Sequence, residues 1–459
     1  MSYFLNSKLP EQIGLTHTMA KIPLETEYGQ IQKEALVPYS PEDVASLEES
    51  WEEINAYMEA HKEHPTLLQE LKRILHGMHN IRKFIRKAAE GYPLSDVELF
   101  ELKKQAFAMS RIRQFLHQHR RLLVSKVVLT DTAWLIKLLD PERTGIETFY
   151  IYDCYDEKLA AIRREKQILE EKYRREHKEQ VEKAAKKTGI RPLWNGDWLV
   201  TRQDHEKRLL LESMDLFELS GETRHEWIYR LKDHDVSEER EHLLAEEEAI
   251  EGRIRQVLSE SIGQRADILL ENTTAVAHLD LIIGKTYLAL RQQSCRPRVH
   301  EMPEICITGG RYPELEENLQ RHTQKMTPID ITIKKGVTVV TGANMGGKTM
   351  SLKMTAFLTT LAQMGFWVPA LEFVFQPVAW LYFSTGDEQS QSLGLSTFGA
   401  EIHGLNQVLE RAAEPGLILL DELASGTNPR EGMSISQAII EYLHGSEAIS
   451  VITTHYDGV

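Results

Sequence analysis

The sequence predicts a multidomain chain: an all-α core carrying an inserted helical arm, followed by an α/β domain built around a phosphate-binding loop. Three observations carry that expectation. Long stretches before residue 300 keep a helical apolar period with few glycines or prolines. From about residue 304 short β-branched runs alternate with helical stretches, the pattern of a mainly parallel sheet. Between one such run and one such helix lies TGANMGGKT, with more glycine than a turn needs. At 459 residues the chain also exceeds one ordinary core.

Taken in order, residues 40–126 read as helices, with a Ser-Pro-Glu start signal at Ser40 and Ser95 as an N-cap. Arg111, Arg113, Arg120, Arg121 and Lys126 read as a solvated helix face. Residues 157–187 form a helical arm with 11 Lys/Arg against 7 Asp/Glu, its apolar positions too sparse to seal a long heptad seam. Turn-bounded apolar runs after Trp194 predict a small β-containing tip, and a long helix then returns to the body. The two prolines near residues 294–303 suggest a boundary. The expected domains are a first helical core part (1–150), the arm with its tip (151–262), a returning core helix (263–300) and the α/β domain (301–459).

Within the last domain GVTVVTG, WLYFST, GLILLD and ISVITTH read as strands, with helices over 349–364 and 432–443. Composition is that of a folded protein, and no signal peptide or membrane-spanning run is legible. The scattered Cys154, Cys295 and Cys306 fit a reducing compartment, so the expected location is cytoplasmic with no membrane partner. A net charge of -15 argues against coating nucleic acid through overall charge, leaving room for a local basic surface.

Residues 342–349 match G-x-x-x-x-G-K-[ST] in the required strand-to-helix setting. Glycines let backbone N–H groups turn inward around a polyphosphate, and the helix N-terminus adds partial positive charge. Gly342, Ala343, Asn344, Met345, Gly346, Gly347, Lys348, Thr349 and Met350 are therefore the candidate ATP contacts. Lys348 would bridge the β- and γ-phosphates and the Thr349 hydroxyl would ligate Mg²⁺. GLILLDE ends in Asp421, a candidate Mg²⁺ holder, and Glu422, placed to orient or deprotonate water. A further apolar strand ends at His455, a candidate γ-phosphate sensor. The polar loop STGDEQSQSLGLSTFGAEI is either a surface connection or a nucleotide contact made across a dimer.

Together TGANMGGKT, GDEQSQSLGLSTFGAE, LLDELASGTNP and ITTHY resemble the ATPase domain of the MutS family, the DNA mismatch-repair clamp proteins. GGRYPELEENL and AVAHLDLIIGKTYLALRQQSCRPRV resemble that family's entry into the domain and its returning core helix. The resemblance is strong over 270–459 and one of organisation over 40–270. It implies an ABC-type dimeric ATPase in which Lys348, Thr349, Asp421, Glu422 and His455 take the roles above. Ser396 would reach the γ-phosphate held by the partner subunit. The chain lacks the L-S-G-G-Q signature usual in transporter ATPases, and its arm precedes the phosphate loop, unlike SMC-like proteins. Ala343 stands where the family commonly has proline, and Thr349-Met350 where it commonly has Ser-Thr. A chain starting at core helices, with no Phe-x-Glu in its first hundred residues, is expected to lack usual mismatch recognition; ending after His455, it is expected to hold an incomplete ATPase domain.

Two functions compete. One is an ATP-dependent DNA-binding clamp for repair or recombination on structured DNA, contacting phosphates through Arg163, Arg164, Arg174 and Arg175. The other is an ATP-driven remodeller of a protein partner such as a metabolic enzyme or the ribosome, which the net charge favours. An interaction module with a vestigial ATPase is opposed by intact Lys348, Asp421 and Glu422.

Overall fold

The computed structural model describes residues 3–4, 8–232, 236–302, 304–342, 347–385, 397–411, 413–424 and 428–454. The chain divides into two compact units, Met1–Asn80 with Ala108–Asp131 and Leu270–Val459, and Ile81–Phe107 with Thr132–Leu269. Near the boundary expected at 294–303 the chain is tied to the α/β part. Cys295 exchanges both backbone hydrogen bonds with Val368, at 2.8 and 3.0 Å.

The strands, in chain order, are β1 (Trp198–Thr201), β2 (Phe217–Glu222), β3 (Glu226–Leu231), β4 (Arg298–Val299), β5 (Glu304–Gly310) and β6 (Ile329–Lys334). They continue with β7 (Gly336–Val340), β8 (Glu372–Phe375), β9 (Trp380–Thr385), β10 (Gly416–Asp421) and β11 (Ile449–Thr453). In the first unit β7-β11-β10-β9 form a four-stranded sheet with every pairing parallel. The continuous apolar runs of β10 and β11 follow from burial on both faces. A second sheet, β4-β8-β5-β6, is mostly antiparallel and was not legible in the sequence. Phe4 pairs with Leu381 and so covers part of the β9 edge.

Helix Lys348–Gln363 is buried along almost its whole length, from Leu352 and Met354 through Gln363. A helix apolar on all sides needs cover on all sides. Part of that cover comes from the start of the chain: Leu9, Ile13, Leu15, Ile22, Leu47 and Trp51 share one core with Phe357, Leu361, Phe383 and Val451. The helix Val44–Glu63 begins four residues after Ser40, because Ser40–Asp43 close a turn in which Asp43 N–H bonds the Ser40 carbonyl. Its Trp51 Nε1 donates to the Ala362 carbonyl at 3.1 Å, and Ser50 donates to the Gly365 carbonyl. Tyr39 N–H bonds the Gln363 carbonyl at 2.8 Å. Lys285 Nζ donates to the carbonyls of Met364 and Gly365 at 3.3 and 3.0 Å. The carbonyls a helix end leaves unpaired are thus met by named donors, one of them on a side chain that can carry positive charge.

In the second unit, helix Glu157–Thr188 starts at an Asp156 cap and ends at Gly189. It packs against helix Val236–Gly263. Leu159 seals one end of this pair, and Ala184 joins Trp198, Phe217, Trp227 and Tyr229 around the three-stranded antiparallel sheet β1-β3-β2 at the other. Helix Asp96–Gln118 begins with a reciprocal cap: Glu98 N–H donates to Ser95 Oγ, and Ser95 N–H to the Glu98 carboxylate.

Burial pushes the Lys285 ammonium down to about 7. A base whose folded pKa lies below its unfolded one opposes folding fully below pH ~7, and that penalty fades as pH rises toward ~10. Wild type should therefore gain stability relative to Lys285→Met between about pH 7 and 10, measured by urea unfolding. A difference that does not change with pH would contradict this burial.

Candidate functional site

The parallel sheet brings its C-terminal strand ends to one edge. Val340 of β7 lies beside Thr453 of β11, and Asp421 of β10 beside Thr385 of β9, with Leu420 opposite Ile452 between them. Open α/β sheets bind ligands outside such ends. The glycine-rich segment leaves from β7. Gly342 at φ 147° and Gly347 at φ 82° hold backbone conformations that a Cβ would oppose. Helix Lys348–Gln363 then starts with its N-terminus at this edge.

Lys348 Nζ reaches back to the Gly342 carbonyl at 2.8 Å, spanning the loop. Thr349 Oγ1 donates to Asp421 Oδ2 at 2.5 Å, joining the two residues that the sequence assigned to a metal. Asp421 is 9% exposed. Its other oxygen, Oδ1, accepts from Thr453 Oγ1 at 2.6 Å. Thr453 Oγ1 in turn accepts the Glu422 N–H at 2.8 Å. Glu422 and Ala424 both hold positive φ, 52° and 58°, a conformation that costs free energy in residues with a Cβ and clusters at functional sites. Ser436 donates to the Leu423 carbonyl inside the same turn.

The donor set fits Mg²⁺. It offers a carboxylate and a hydroxyl, both hard oxygen ligands, already in contact at the start of the helix that follows the glycine-rich segment. Mg²⁺ usually takes only one or two protein carboxylates and completes its shell with water and phosphate oxygens. Among the described residues no group of three or more His, Cys, Asp or Glu could hold a metal. Ala343, Asn344, Met345, Gly346, Ser396 and His455 lie outside the described residues. Met350 is half-buried in the first turn of the helix. Thr453 was not singled out from sequence; the signal available was a threonine at the end of an otherwise apolar strand.

The four arginines proposed as phosphate contacts divide. Arg164, Arg174 and Arg175 are exposed. Arg163 is not available: it donates to Asp153 at 2.5 Å, Glu247 at 2.9 Å, Glu251 at 2.7 Å and the Ile151 carbonyl at 2.8 Å. Burial opposes its charge, but these carboxylates outweigh burial and hold its pKa raised. Lys166 likewise pairs with Glu247. Nor is the arm basic as a whole. The two paired helices carry 14 Lys/Arg against 15 Asp/Glu, because the returning helix supplies most of its charges as glutamate.

Residues 338–459 match the family described as MutS domain V. Over most of its length the chain is similar to proteins named Endonuclease MutS2. It is 27% identical to that of Geobacillus sp. over 410 residues, covering 83% of this chain and 49% of the relative. It is 29% identical to that of Symbiobacterium thermophilum over 409 residues, covering 83% and 48%. With the Bacillus mycoides protein it shares 26% identity over 479 aligned positions, covering 98% and 56%. The chain thus spans about half the length of the curated relatives it matches.

Arg163 and Arg164 offer a direct contrast. Arg163→Ala takes one partner each from Glu247, which keeps Lys166, and Glu251, which keeps Arg255, and should lower the unfolding free energy by about 1 kcal/mol, while Arg164→Ala should stay within about 0.5 kcal/mol of wild type. Equal effects in denaturant unfolding would contradict the assignment of Arg163 as a staple.

Proposed function

We propose that this chain, a member of the MutS family, binds Mg²⁺·ATP at the C-terminal edge of its parallel sheet and hydrolyses it to ADP and phosphate. The observation that carries the reading is the Thr349–Asp421 contact, which joins the phosphate loop to the acidic strand end. Bound Mg²⁺ would neutralise charge on the β- and γ-phosphates. Lys348 releases the Gly342 carbonyl and turns its ammonium to the same phosphates. Glu422 orients the attacking water and takes its proton, its backbone already held in an uncommon conformation. Within the same reading, residues 342–350 wrap the nucleotide, His455 senses its γ-phosphate, and Ser396 contacts the nucleotide of a second subunit in a homodimer.

The proposed work of this ATPase is on DNA, in repair or recombination at structured sites, in the cytoplasm. Support comes from the family and from relatives named as endonucleases. No helix among the described residues is long and apolar enough to cross a membrane. Contact through the arm would rest on Arg164, Arg174 and Arg175, with Arg163 excluded by its ion pairs. A second reading, remodelling of a protein partner, is favoured by the balanced charge of the paired arm helices. It is favoured also by Trp194, 98% exposed on a turn that the Asn195–Asp197 and Leu193–Asp197 hydrogen bonds hold in shape.

Lys348→Ala should abolish measurable Mg²⁺·ATP binding by calorimetry, and unchanged affinity would remove the phosphate-loop assignment. Glu422→Gln should bind ATP but turn it over at least ~100-fold more slowly; normal turnover would take Glu422 out of its role. Binding of branched DNA that rises with a non-hydrolysable ATP analogue, falls steeply with salt and is lost on neutralising Arg164, Arg174 and Arg175 supports the DNA reading. Its absence in a protein that hydrolyses ATP favours the protein partner.

A further inference from the structure

We infer that Thr453 is a positioning residue that sets the Mg²⁺-holding carboxylate and the water-orienting glutamate at once. The inference rests on the nucleotide reading above and deepens it. The Thr453 hydroxyl is buried, with 0% of the residue exposed, and has two partners. An amide can only donate, so the Glu422 N–H occupies an oxygen lone pair of Thr453. The hydroxyl proton is then directed to Asp421 Oδ1, a carboxylate oxygen, at 2.6 Å. One side chain on β11 therefore fixes the carboxylate at the end of β10 and the backbone of the residue after it.

The main chain of Thr453 repeats the link, since the Leu423 N–H lies 3.4 Å from its carbonyl. Glu422, at φ 52°, sits between these two attachments. Nothing else described holds Asp421 Oδ1, while Oδ2 is left to Thr349. With Oδ1 engaged, Oδ2 and the Thr349 oxygen are the atoms that would hold Mg²⁺. Without the Thr453 hydroxyl, the carboxylate can rotate about its terminal torsion, which is broad for aspartate, and Oδ2 loses its fixed direction. The Glu422 amide also loses its acceptor, which removes a restraint on its left-handed conformation.

The test compares Thr453→Val, which keeps shape and removes the hydroxyl, with Thr453→Ser, which keeps the hydroxyl. Each full chain is titrated with a non-hydrolysable ATP analogue in Mg²⁺ and again in EDTA, alongside thermal unfolding. Thr453→Val should lose about tenfold of the affinity gained from Mg²⁺, the scale of one charge-assisted hydrogen bond, with EDTA affinity within about twofold of wild type. Thr453→Ser should recover that gain to within about threefold. A Thr453→Val protein that keeps the full Mg²⁺ gain overturns the inference while leaving nucleotide binding intact. So does a Thr453→Ser protein as impaired as Thr453→Val, which marks the residue as packing only. If wild type binds no nucleotide, the reading under Proposed function falls first and this inference with it.

Discussion

The Asp421 carboxylate, held between the hydroxyls of Thr349 and Thr453, is the contact on which the candidate site depends. It joins three segments far apart in the sequence: the helix after the glycine loop, the end of β10 and the end of β11. The parallel register makes the meeting possible, because Val340, Thr453 and Asp421 all fall at strand ends on one edge. A slip of one residue would turn each of these side chains to the other face of the sheet. The sheet that carries these ends is buried on both faces, Leu417, Leu419 and Val451 in one apolar cluster and Ile418, Leu420 and Ile452 in the other.

The helix that begins at Lys348 carries the same logic to its other end. Its N-terminus faces the candidate site, and its C-terminal carbonyls are met by Trp51, Ser50, Lys285 and Tyr39. A helix buried on all sides can neither fray into water nor shift without breaking these bonds. The first sixty residues of the chain are thus part of the scaffold that holds the helix beginning at Lys348, although sequence organisation assigned them to a separate helical body.

How much was legible follows from the kind of signal each element leaves. WLYFST and GLILLD are the strands β9 and β10 to the residue, because buried parallel strands are continuous apolar runs bounded by turns. Thr349 and Asp421 were legible because a motif states their chemistry, and the structure brings them together. Sheet β4-β8-β5-β6 was not singled out: β8 pairs with β4 and β5 across more than sixty residues, and no local signal states such a pairing. The start at Ser40 misled because the same Ser-Pro-Glu signal closes a turn before a helix. Arg163 misled for a different reason: a basic run shows its charges, but not the glutamates of a helix about eighty residues away that neutralise them. That pairing also moves weight in the choice of substrate, as a charge-balanced pair of helices attracts a phosphate backbone less than its first helix alone suggests.

Thr349 and Asp421, in contact at the sheet edge, are proposed to hold a metal beside a nucleotide. The most direct measurement is a structure of this chain with Mg²⁺ and a non-hydrolysable ATP analogue. The expected result is Mg²⁺ with the Thr349 hydroxyl at about 2.1 Å, the Asp421 carboxylate bound directly or through one water, and Lys348 turned from Gly342 to the phosphates. A nucleotide bound elsewhere, or bound here with Lys348 still on the Gly342 carbonyl and the metal away from Asp421, would contradict it.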